Sequence, residues 1–448
     1  MNVFLLSLGC ARNQVDSEIM LGRIKKASWT IVEDPEDADS IVVNTCSFIE
    51  DAADESIEMI LELARYKQTG KCKRLVVAGC LPERYRDHIA GQLPEVDAFI
   101  GTGAFDRIVE AVEGSKFSGG CLLPDPATIS PQEKDAPRAL STSHMAYLKV
   151  AEGCSQRCTY CIIPKLRGKK RSRPPQDIIS EAQDLLAAGV KELVLVAQDT
   201  TSYGKDLQPP ASLGQLVENL ACLPLMDASS PGAWVRVLYG HPESIDDRFI
   251  KTVASYPNIC SYFDIPIQHV SSTILKKMGR NYNRDDLDRL FDRIRNEVPG
   301  AALRTTLIVG FPGESDKDFQ TLLRFVENTQ FDHLGVFLYS DSEDLRSHRL
   351  PDHVPAGVAQ ERYDQLMSCQ LDISAQKYQH YIGQTLPVLV EEPVEKNLYA
   401  GRAPFQAPEV DGMTYIKFGP AQPDPAVGSF SQIKVSDAME YDLIGDAI

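Results

Sequence analysis

The sequence predicts an α/β protein in three parts: an N-terminal parallel sheet with helices, a central partial (β/α)6 barrel and a small C-terminal antiparallel β-barrel. Short apolar runs alternate with helical patterns over most of the chain, which is typical of parallel sheets covered by helices. The tail instead has short strands of alternating polarity, rich in Val, Gly and Pro, which is typical of small barrels. We therefore expect parts at residues 1–121, 144–378 and 383–448, with a linker at 122–143.

The first part has three strand–helix units. The predicted strands are Val3–Leu8, Ser40–Asn44 and Arg74–Ala78, and the helical patterns are Gln14–Lys26, Ile49–Tyr66 and Glu83–Gln92. The Pro-, Ser- and charge-rich linker at 122–143 follows.

Six more units make up the central part. Its predicted strands are Ala146–Val150, Glu192–Ala197, Trp234–Leu238, Ser261–Asp264, Leu303–Val309 and His333–Leu338. Six βα units favour a partial barrel, although the pattern also allows an open sheet with two covered faces. In the tail the predicted strands are Leu386–Val390, Met413–Phe418 and Gln432–Val435.

Composition narrows the class of protein. The chain of 448 residues carries a net charge of −17, which argues against a general nucleic-acid binder. No run approaches the roughly 20 apolar residues of a membrane helix, and the apolar N-terminus lacks the basic start of a signal peptide. Eleven cysteines, an odd number in a large chain, favour metal or redox chemistry over disulfides. We expect a cytoplasmic protein without a membrane partner.

One cysteine motif follows the first predicted barrel strand. Cys154, Cys158 and Cys161 are spaced C-x3-C-x2-C, and Gly153 permits a tight turn before them. Three thiolates can hold three irons of a [4Fe–4S] cluster and leave the fourth iron open, whereas electron-transfer clusters and structural zinc sites use four protein ligands. Active sites of barrel enzymes lie at this end of the strands.

A second set of cysteines is spread over the first part. Cys10, Cys46 and Cys80 each stand just past a predicted strand, where the ends of parallel strands lie side by side. The repetition favours a second three-cysteine cluster over buried apolar cysteines. The remaining cysteines show no pattern, and of these we expect only Cys260 to face the barrel.

Several strings extend beyond the cysteines: GCARNQVDSE, NTCSFIEDAADESI, YLKVAEGCSQRCTYCIIPKLRGKKRSRP, PIQHVSSTILKKMGR, TTLIVGFPGE and APEVDG. With the three-part order, they resemble the methylthiotransferase branch of the radical S-adenosylmethionine (SAM) enzymes, and within it the ribosomal-protein aspartate methylthiotransferases (RimO-type). The chain departs from the usual pattern of that family at Ala11-Arg12, where Pro-Lys is more usual, and in the string Leu238–Pro242.

The resemblance implies two [4Fe–4S] clusters, SAM, and a C-terminal barrel of the OB-like TRAM type. SAM would bind the open iron of the 154/158/161 cluster and yield a 5′-deoxyadenosyl radical. That radical would take hydrogen from an aspartate β-carbon of small-subunit ribosomal protein twelve, free or on the ribosome. Sulfur held at the second cluster, already methylated, would then join that carbon.

Other residues are candidates for contact with SAM. Tyr160 lies between two cysteines of the motif, Gln198 follows a predicted strand, and Arg236 lies inside one, where a buried charge needs a partner such as a carboxylate of SAM or substrate. Gln268 and its neighbour His269 follow the fourth strand, and Gly310 opens the turn Gly310–Glu314. An ordinary loop would explain these last positions equally well.

A basic run follows the cysteine motif: Lys165, Arg167, Lys169, Lys170, Arg171 and Arg173. Such a run is usually a solvated face. It could also bind an anionic substrate or an acidic electron donor such as a flavodoxin- or ferredoxin-like protein.

The charge of the tail separates the possible substrates. Residues 383–448 contain ten Asp or Glu and four Lys or Arg, a net charge of −6. A barrel that grips RNA should be basic, so this charge favours a basic protein as partner and makes tRNA unlikely. Two alternatives stay open: a tRNA adenosine methylthiotransferase and a non-catalytic iron–sulfur scaffold protein.

Overall fold

The protein is an α/β chain of three packed units, as the sequence predicts. The computed structural model describes residues 1–114, 117, 120–129, 136–224, 232–419 and 422–448, so residues 130–135 of the predicted linker lie outside the described residues. None of the helices in these described ranges is both long and apolar enough to cross a membrane.

The first unit is a parallel sheet with helices on both faces. Its strands are β1 (Asn2–Ser7), β2 (Thr30–Ile31), β3 (Ser40–Thr45), β4 (Arg74–Gly79), β5 (Ala98–Ile100) and β6 (Cys121–Leu122), in the order β2-β1-β3-β4-β5-β6. Its helices are α1 (Ala11–Lys26), α2 (Glu50–Ala64), α3 (Tyr66–Thr69), α4 (Cys80–Tyr85), α5 (Ile89–Gln92) and α6 (Ile108–Glu113). Both faces of the sheet are apolar and buried, because helices cover both.

One predicted helix of this unit is wrong in detail. The helix expected over Glu83–Gln92 is broken into α4, a 3₁₀ turn and α5. Arg86 interrupts it with a left-handed φ of +49°, a conformation that a continuous helix does not contain.

The second unit is a partial barrel of six parallel strands. They are β7 (Met145–Lys149), β10 (Glu192–Val196), β11 (Trp234–Val237), β12 (Tyr262–Asp264), β13 (Ala302–Val309) and β14 (His333–Leu338), with a two-stranded hairpin of β8 (Ala151–Glu152) and β9 (Arg171–Ser172) beside them. Two three-stranded sheets, β7-β10-β11 and β12-β13-β14, are joined by a parallel bridge between Val235 and Ile259. This geometry favours the partial barrel over the open sheet.

Helices cover the outside of the barrel. They are α7 (Ile163–Arg167), α8 (Pro175–Ala187), α9 (Leu213–Ala221), α10 (Asp247–Ser255), α11 (Ser272–Met278), α12 (Arg284–Glu297), α13 (Asp316–Thr329) and α14 (Ala356–Gln379). Their apolar faces pack on outward residues such as Leu148, Leu195 and Leu303 to form the largest core of the protein. Inward residues alternate with these along each strand.

The third unit is a closed five-stranded barrel. Its strands are β15 (Thr385–Glu395), β16 (Leu398–Arg402), β17 (Thr414–Lys417), β18 (Phe430–Ala438) and β19 (Leu443–Ala447), in the order β15-β16-β17-β19-β18. All neighbours are antiparallel except β17 and β19. The sequence patterns missed β16 and β19, both of which carry an interior Gly that weakens a strand signal.

A loop of the small barrel enters the inward side of the partial barrel, and we call residues 403–411 the plug. The Tyr262 hydroxyl donates to Asp411 at 2.6 Å, and His333 Nε2 bonds the carbonyl of Phe405 at 2.7 Å. Ala407 packs with Tyr147 and other inward residues of the strands. The plug thus closes the interior on the side of the small barrel.

A buried carboxylate fastens the plug. Glu192 accepts from Arg236 Nε at 2.7 Å and from Arg402 Nη2 at 2.5 Å, and all three side chains are almost fully buried. The Arg402 and Arg236 guanidiniums hold the pKa of Glu192 below its usual value although burial alone would raise it. Glu192 therefore stays ionised and joins the two barrels.

Replacing Glu192 with Gln should destabilise the protein by about 3 kcal/mol, because Arg236 is left buried without an acid. Chemical unfolding of the full chain, followed by circular dichroism, measures this as a loss in the free energy of unfolding. Asp288→Asn removes one partner of the exposed pair Arg284–Asp288 and should cost less than about 0.5 kcal/mol. Equal losses in the two variants would contradict the role given to Glu192.

Candidate metal centres

Three neighbouring strands bring the first set of cysteines together. Cys10 follows β1, Cys46 follows β3 and Cys80 begins α4 directly after β4, and these strands are adjacent in the sheet. Gly9 has a φ of +96°, and a Cβ added there would lie 2.8 Å from the Cβ of Cys46. Only glycine therefore lets the Cys10 turn approach Cys46 so closely.

Asn13 ties these strand ends to each other. Its Nδ2 donates to the carbonyls of Leu8 at 3.0 Å and Thr45 at 2.9 Å, and Asn44 Nδ2 donates back to the carbonyl of Asn13. The Asn13 side chain is fully buried. One buried side chain therefore holds the loops that carry Cys10 and Cys46 in a fixed relative position.

The surroundings of these thiols shift their pKa values in different directions. Burial would raise the pKa of Cys10, but Arg12 and Arg167 hold it below its usual value. Burial raises the pKa of Cys80 to about 12, although Arg167 Nη2 lies 3.8 Å from its sulfur and acts against the shift. Thiolates are the form that binds iron, and nearby arginines favour that form.

The second set lies in the loop after β8. Gly153 has a φ of +78°, and a Cβ there would lie 2.4 Å from the carbonyl oxygen of Lys169, as the predicted tight turn requires. The loop is anchored by Cys154 N, which donates to the carbonyl of Gly168 at 3.1 Å, and by Thr159 N, which donates to Met278 at 3.0 Å. Burial raises the pKa of Cys161 to about 12.

Both donor sets suit an iron–sulfur cluster better than a single ion. Among the described residues, no three Cys, His, Asp or Glu side chains converge closely enough to hold one metal ion. A cluster spreads its thiolate ligands over several irons, so it does not need them to converge on one point. Three sulfur donors in each set fit a [4Fe–4S] group with one iron left without a protein ligand.

A buried ion network lies between the two sets, and we call its four residues, Asp16, Lys149, Glu152 and Arg167, the bridging network. Arg167 Nη1 lies 2.8 Å from Asp16 and 3.1 Å from Glu152, and Lys149 contacts both acids. Glu152 stands two residues before Cys154, while Arg167 reaches Cys80. The network therefore links the two cysteine sets through side chains.

Gln198 and Tyr160 lie next to these centres. Gln198 Nε2 donates to Glu152 at 2.7 Å, directly beside the loop of the second set. The Tyr160 hydroxyl accepts from Arg280 Nη2 at 2.6 Å, and its ring meets Phe311 edge-on. Both predicted residues are thus near the second cysteine set.

Gln268 and Gly310 lie after β12 and β13, two strands of the second sheet of the barrel. Gln268 has a φ of +66° and its backbone bridges to β13, where its amide donates to Thr306. Gly310 N donates to the Glu314 carboxylate at 2.5 Å, and His269 Nε2 lies 3.6 Å from the same group. His269 Nδ1 accepts from two backbone amides, so its proton is on Nε2 and faces Glu314.

Arg236 needs a correction. The sequence reading gave it a carboxylate of SAM or substrate as partner, but its partner in the structure is Glu192, and its Nη1 donates to the plug carbonyl of Pro404 at 2.8 Å. The side chain faces the end of the interior that the plug closes. The physical reason is that a fully buried guanidinium is paired within the protein itself.

The basic run is not a single solvated face. Arg167 and Arg173 are buried, and Arg173 pairs with Glu181 at 2.7 Å. Lys165 and Lys169 are exposed, and Lys170 and Arg171 are partly so. Of these four, Lys165 pairs with Asp344 and Lys170 with Asp206, so part of their charge is already compensated within the chain.

Three residues near the centres were missed by sequence reasoning: Arg12, Tyr239 and Arg280. Arg12 lies over the ring of Tyr239, 4.5 Å from its centroid. Arg280 lies between Tyr160 and Tyr282, at 5.9 Å from each ring. Arg12 could have been noticed as a cation just before the start of a predicted helix, near the end at which basic residues are unfavourable. Arg280 has no comparable signal.

Solved structures share the fold. A radical SAM methyltransferase, TsrM, from Kitasatospora setae superposes with a TM-score of 0.55 at 15% identity, covering 76% of this chain and 74% of that one. The cobalamin-dependent SAM radical enzyme OxsB superposes with a TM-score of 0.52 at 12% identity, covering 83% of this chain and 56% of that one. At these identities the similarity concerns the fold alone.

Family models cover the three units. The Uncharacterized protein family UPF0004 matches residues 2–101, the Radical SAM superfamily matches 148–326 and the TRAM domain matches 382–448.

Similar proteins span the whole chain. One from Desulfosudis oleivorans is 52% identical over 100% of both chains, and one from Clostridioides difficile is 46% identical over 100% of this chain and 99% of its own. One from Geobacter sulfurreducens is 45% identical over 100% and 98%. Each is named ribosomal protein uS12 methylthiotransferase RimO. With the three matching family models and the two cysteine sets, this similarity means that the chain belongs to the RimO family of radical SAM methylthiotransferases.

Proposed function

We propose that the protein transfers a methylthio group to the β-carbon of an aspartate in ribosomal protein uS12. The observation that carries the proposal is the pairing of two three-cysteine sets across the bridging network. Each set supplies three cysteines, and a [4Fe–4S] cluster held by three thiolates keeps one iron for an outside molecule. Full-length relatives named for uS12 modification support the choice of substrate.

Cys154, Cys158 and Cys161 would hold the cluster that binds SAM, and Cys10, Cys46 and Cys80 the cluster that presents sulfur. When bound, these groups supply the electron that cleaves SAM and the sulfur that is transferred. Tyr160, Gln198, Gln268 and Gly310 remain our proposed contacts for SAM. Arg280 replaces Arg236 in this set, because it lies beside Tyr160 and makes no ion pair with a described carboxylate.

The chain itself excludes water and fixes positions. The plug closes one end of the interior, and the sheet of the first unit covers the other through α1, whose Ala11 and Val15 pack with the inward residues of the barrel. Gln198 and Lys149 hold Glu152, which fixes the backbone two residues before Cys154. Such a dry and rigid cleft brings substrate, SAM and sulfur into line.

The charge of the small barrel supports a protein substrate. Seven of its acidic side chains are exposed against three exposed lysines, because Arg402 is buried in its pair with Glu192. The exposed acids are Glu392, Glu395, Glu409, Asp424, Asp437, Glu440 and Asp446. This surface would repel RNA and attract a basic ribosomal protein.

The electron donor, location and domain limits are also proposals. Lys165, Lys169, Lys170 and Arg171 offer a basic patch near the second cysteine set for a flavodoxin- or ferredoxin-like donor. A ribosomal protein as substrate supports a cytoplasmic location. We retain the domain limits 1–121, 144–378 and 383–448 and the linker 122–143, of which Arg138 is buried between Glu18 and Glu181.

Replacing the cysteines of the two sets should have different effects on SAM cleavage. Changing Cys154, Cys158 and Cys161 to Ala should lower iron from about eight to about four per chain and abolish formation of 5′-deoxyadenosine from SAM. Changing Cys10, Cys46 and Cys80 should lower iron equally but leave that cleavage in place while methylthio product is lost. Anaerobic reconstitution with dithionite, iron analysis and chromatography measure both.

The exposed Cys222 supplies the control, since Cys222→Ala should change neither iron content nor product. Full iron loading without any SAM cleavage by the unaltered protein would favour the non-catalytic scaffold instead.

Loss of this chain from cells should remove the methylthio adduct from uS12 and leave methylthio-adenosine in tRNA unchanged. Mass spectrometry of ribosomal proteins and of digested bulk tRNA from the same deletion strain measures both. The opposite result would establish the tRNA enzyme in place of our proposal.

A further inference from the structure

Arg12 is a cation without an acid in an interior where its neighbours are paired. Arg167 pairs with Asp16 and Glu152, and Arg304 with Asp264 and Asp411. By contrast, Arg12 forms no ion pair with a carboxylate of the described residues, and its Nη1 donates to the carbonyl of Ala197 at 3.0 Å. A partly buried charge without a counter-charge is costly, and its place in the first turn of α1 adds to that cost.

The guanidinium is held in one place. Its flat face lies on the ring of Tyr239, which leaves the edge of the fork free. Tyr239 is itself fixed, because its amide donates to Asp264 at 2.9 Å and its carbonyl accepts from Thr200 N at 3.0 Å. Arg12 is half-buried, and its Nε and Nη2 have no hydrogen-bond partner among the described residues. Both nitrogens therefore remain accessible from the cleft.

Its position is between the two proposed clusters. Arg12 stands two residues after Cys10, while its contacts Ala197 and Tyr239 follow β10 and β11 at the end of the barrel that carries the second set. A group bound to the free edge of Arg12 would therefore lie next to both. Arg304 is a poorer anion site, because two carboxylates already neutralise it.

We propose that Arg12 binds the side-chain carboxylate of the target aspartate, with Tyr239 as the positioning residue that braces it. The proposal rests on the proposed function and names the feature that selects the substrate. A guanidinium fork matches a carboxylate with two parallel hydrogen bonds, which an amide or a neutral base cannot reproduce. The β-carbon is bonded directly to that carboxylate, so the contact would bring the reacting carbon close to the Cys10 side of the cleft.

Binding of recombinant uS12 to the iron-loaded full chain, measured anaerobically without SAM, tests the proposal. The aspartate is first identified by mass spectrometry of modified uS12, and a second uS12 then carries Asn there. The unaltered protein should bind the Asp form at least about 10-fold more tightly than the Asn form, as expected for a charge-assisted contact. In Arg12→Met that ratio should fall to within about twofold, with the affinity for the Asn form unchanged.

Arg12→Lys keeps the charge and should retain most of the preference for Asp. Arg289→Met makes the same change at an exposed position of α12 and should leave the ratio as it is. Tyr239→Leu removes the bracing ring without touching the loops of the cysteines, so it should lower the ratio partially even if Arg12→Met fails to load iron.

Three results would overturn the proposal. The first is equal affinity of the unaltered protein for the Asp and Asn forms of uS12. The second is an unchanged ratio of the two affinities in both Arg12→Met and Tyr239→Leu. The third is an equal loss of affinity for the two forms in these variants. Any of them leaves the proposed function standing if uS12 is still modified. If the unaltered protein does not modify uS12, the proposed function fails and this proposal fails with it.

Discussion

The structure depends on the bridging network, because it is the point at which the sheet and the barrel are joined beside both cysteine sets. Two acids and two bases are buried there together, so their charges cancel. The Arg167 and Lys149 cations hold the pKa of Glu152 below its usual value against the effect of burial. A buried group of this kind adds little net stability, but it permits only one arrangement, since removing any partner leaves a charge unpaired. Such an arrangement would keep the distance between the two proposed metal centres fixed.

The plug is the second constraint. A partial barrel leaves its interior open, and here the small barrel supplies the missing wall with residues 403–411. Asp411 meets Tyr262, Arg304 and His333, so the loop is held by polar contacts as well as by packing. The small barrel is therefore part of the catalytic unit as well as a surface for partners. Its one arginine is buried in this contact, and the exposed side chains, seven acids against three lysines, keep the surface of the small barrel acidic.

Together these constraints explain why the unpaired cations matter. The plug and α1 enclose the interior from two sides, and several arginines that enter it, among them Arg167, Arg236 and Arg304, are matched by acids of the chain. Arg12 and Arg280 lie near the cysteine sets without an ion pair to a described carboxylate, and each lies against an aromatic ring. An aromatic face steadies a guanidinium without neutralising it. These two positions are therefore the places at which anionic groups of SAM and substrate would be compensated.

The sequence by itself determined the fold class, the order of the three units and the nearness of the six cysteines. Local spacing decides the Cys154 loop, and parallel strands must bring Cys10, Cys46 and Cys80 to one edge, so both follow from patterns along the chain. Tertiary structure alone decided which charges are paired. Arg236 and Arg167 looked alike as available cations, yet one faces Glu192 and the plug and the other faces Asp16 and Cys80. These ion pairs join residues 44 and 151 positions apart, and no local pattern records which acid a buried base will meet.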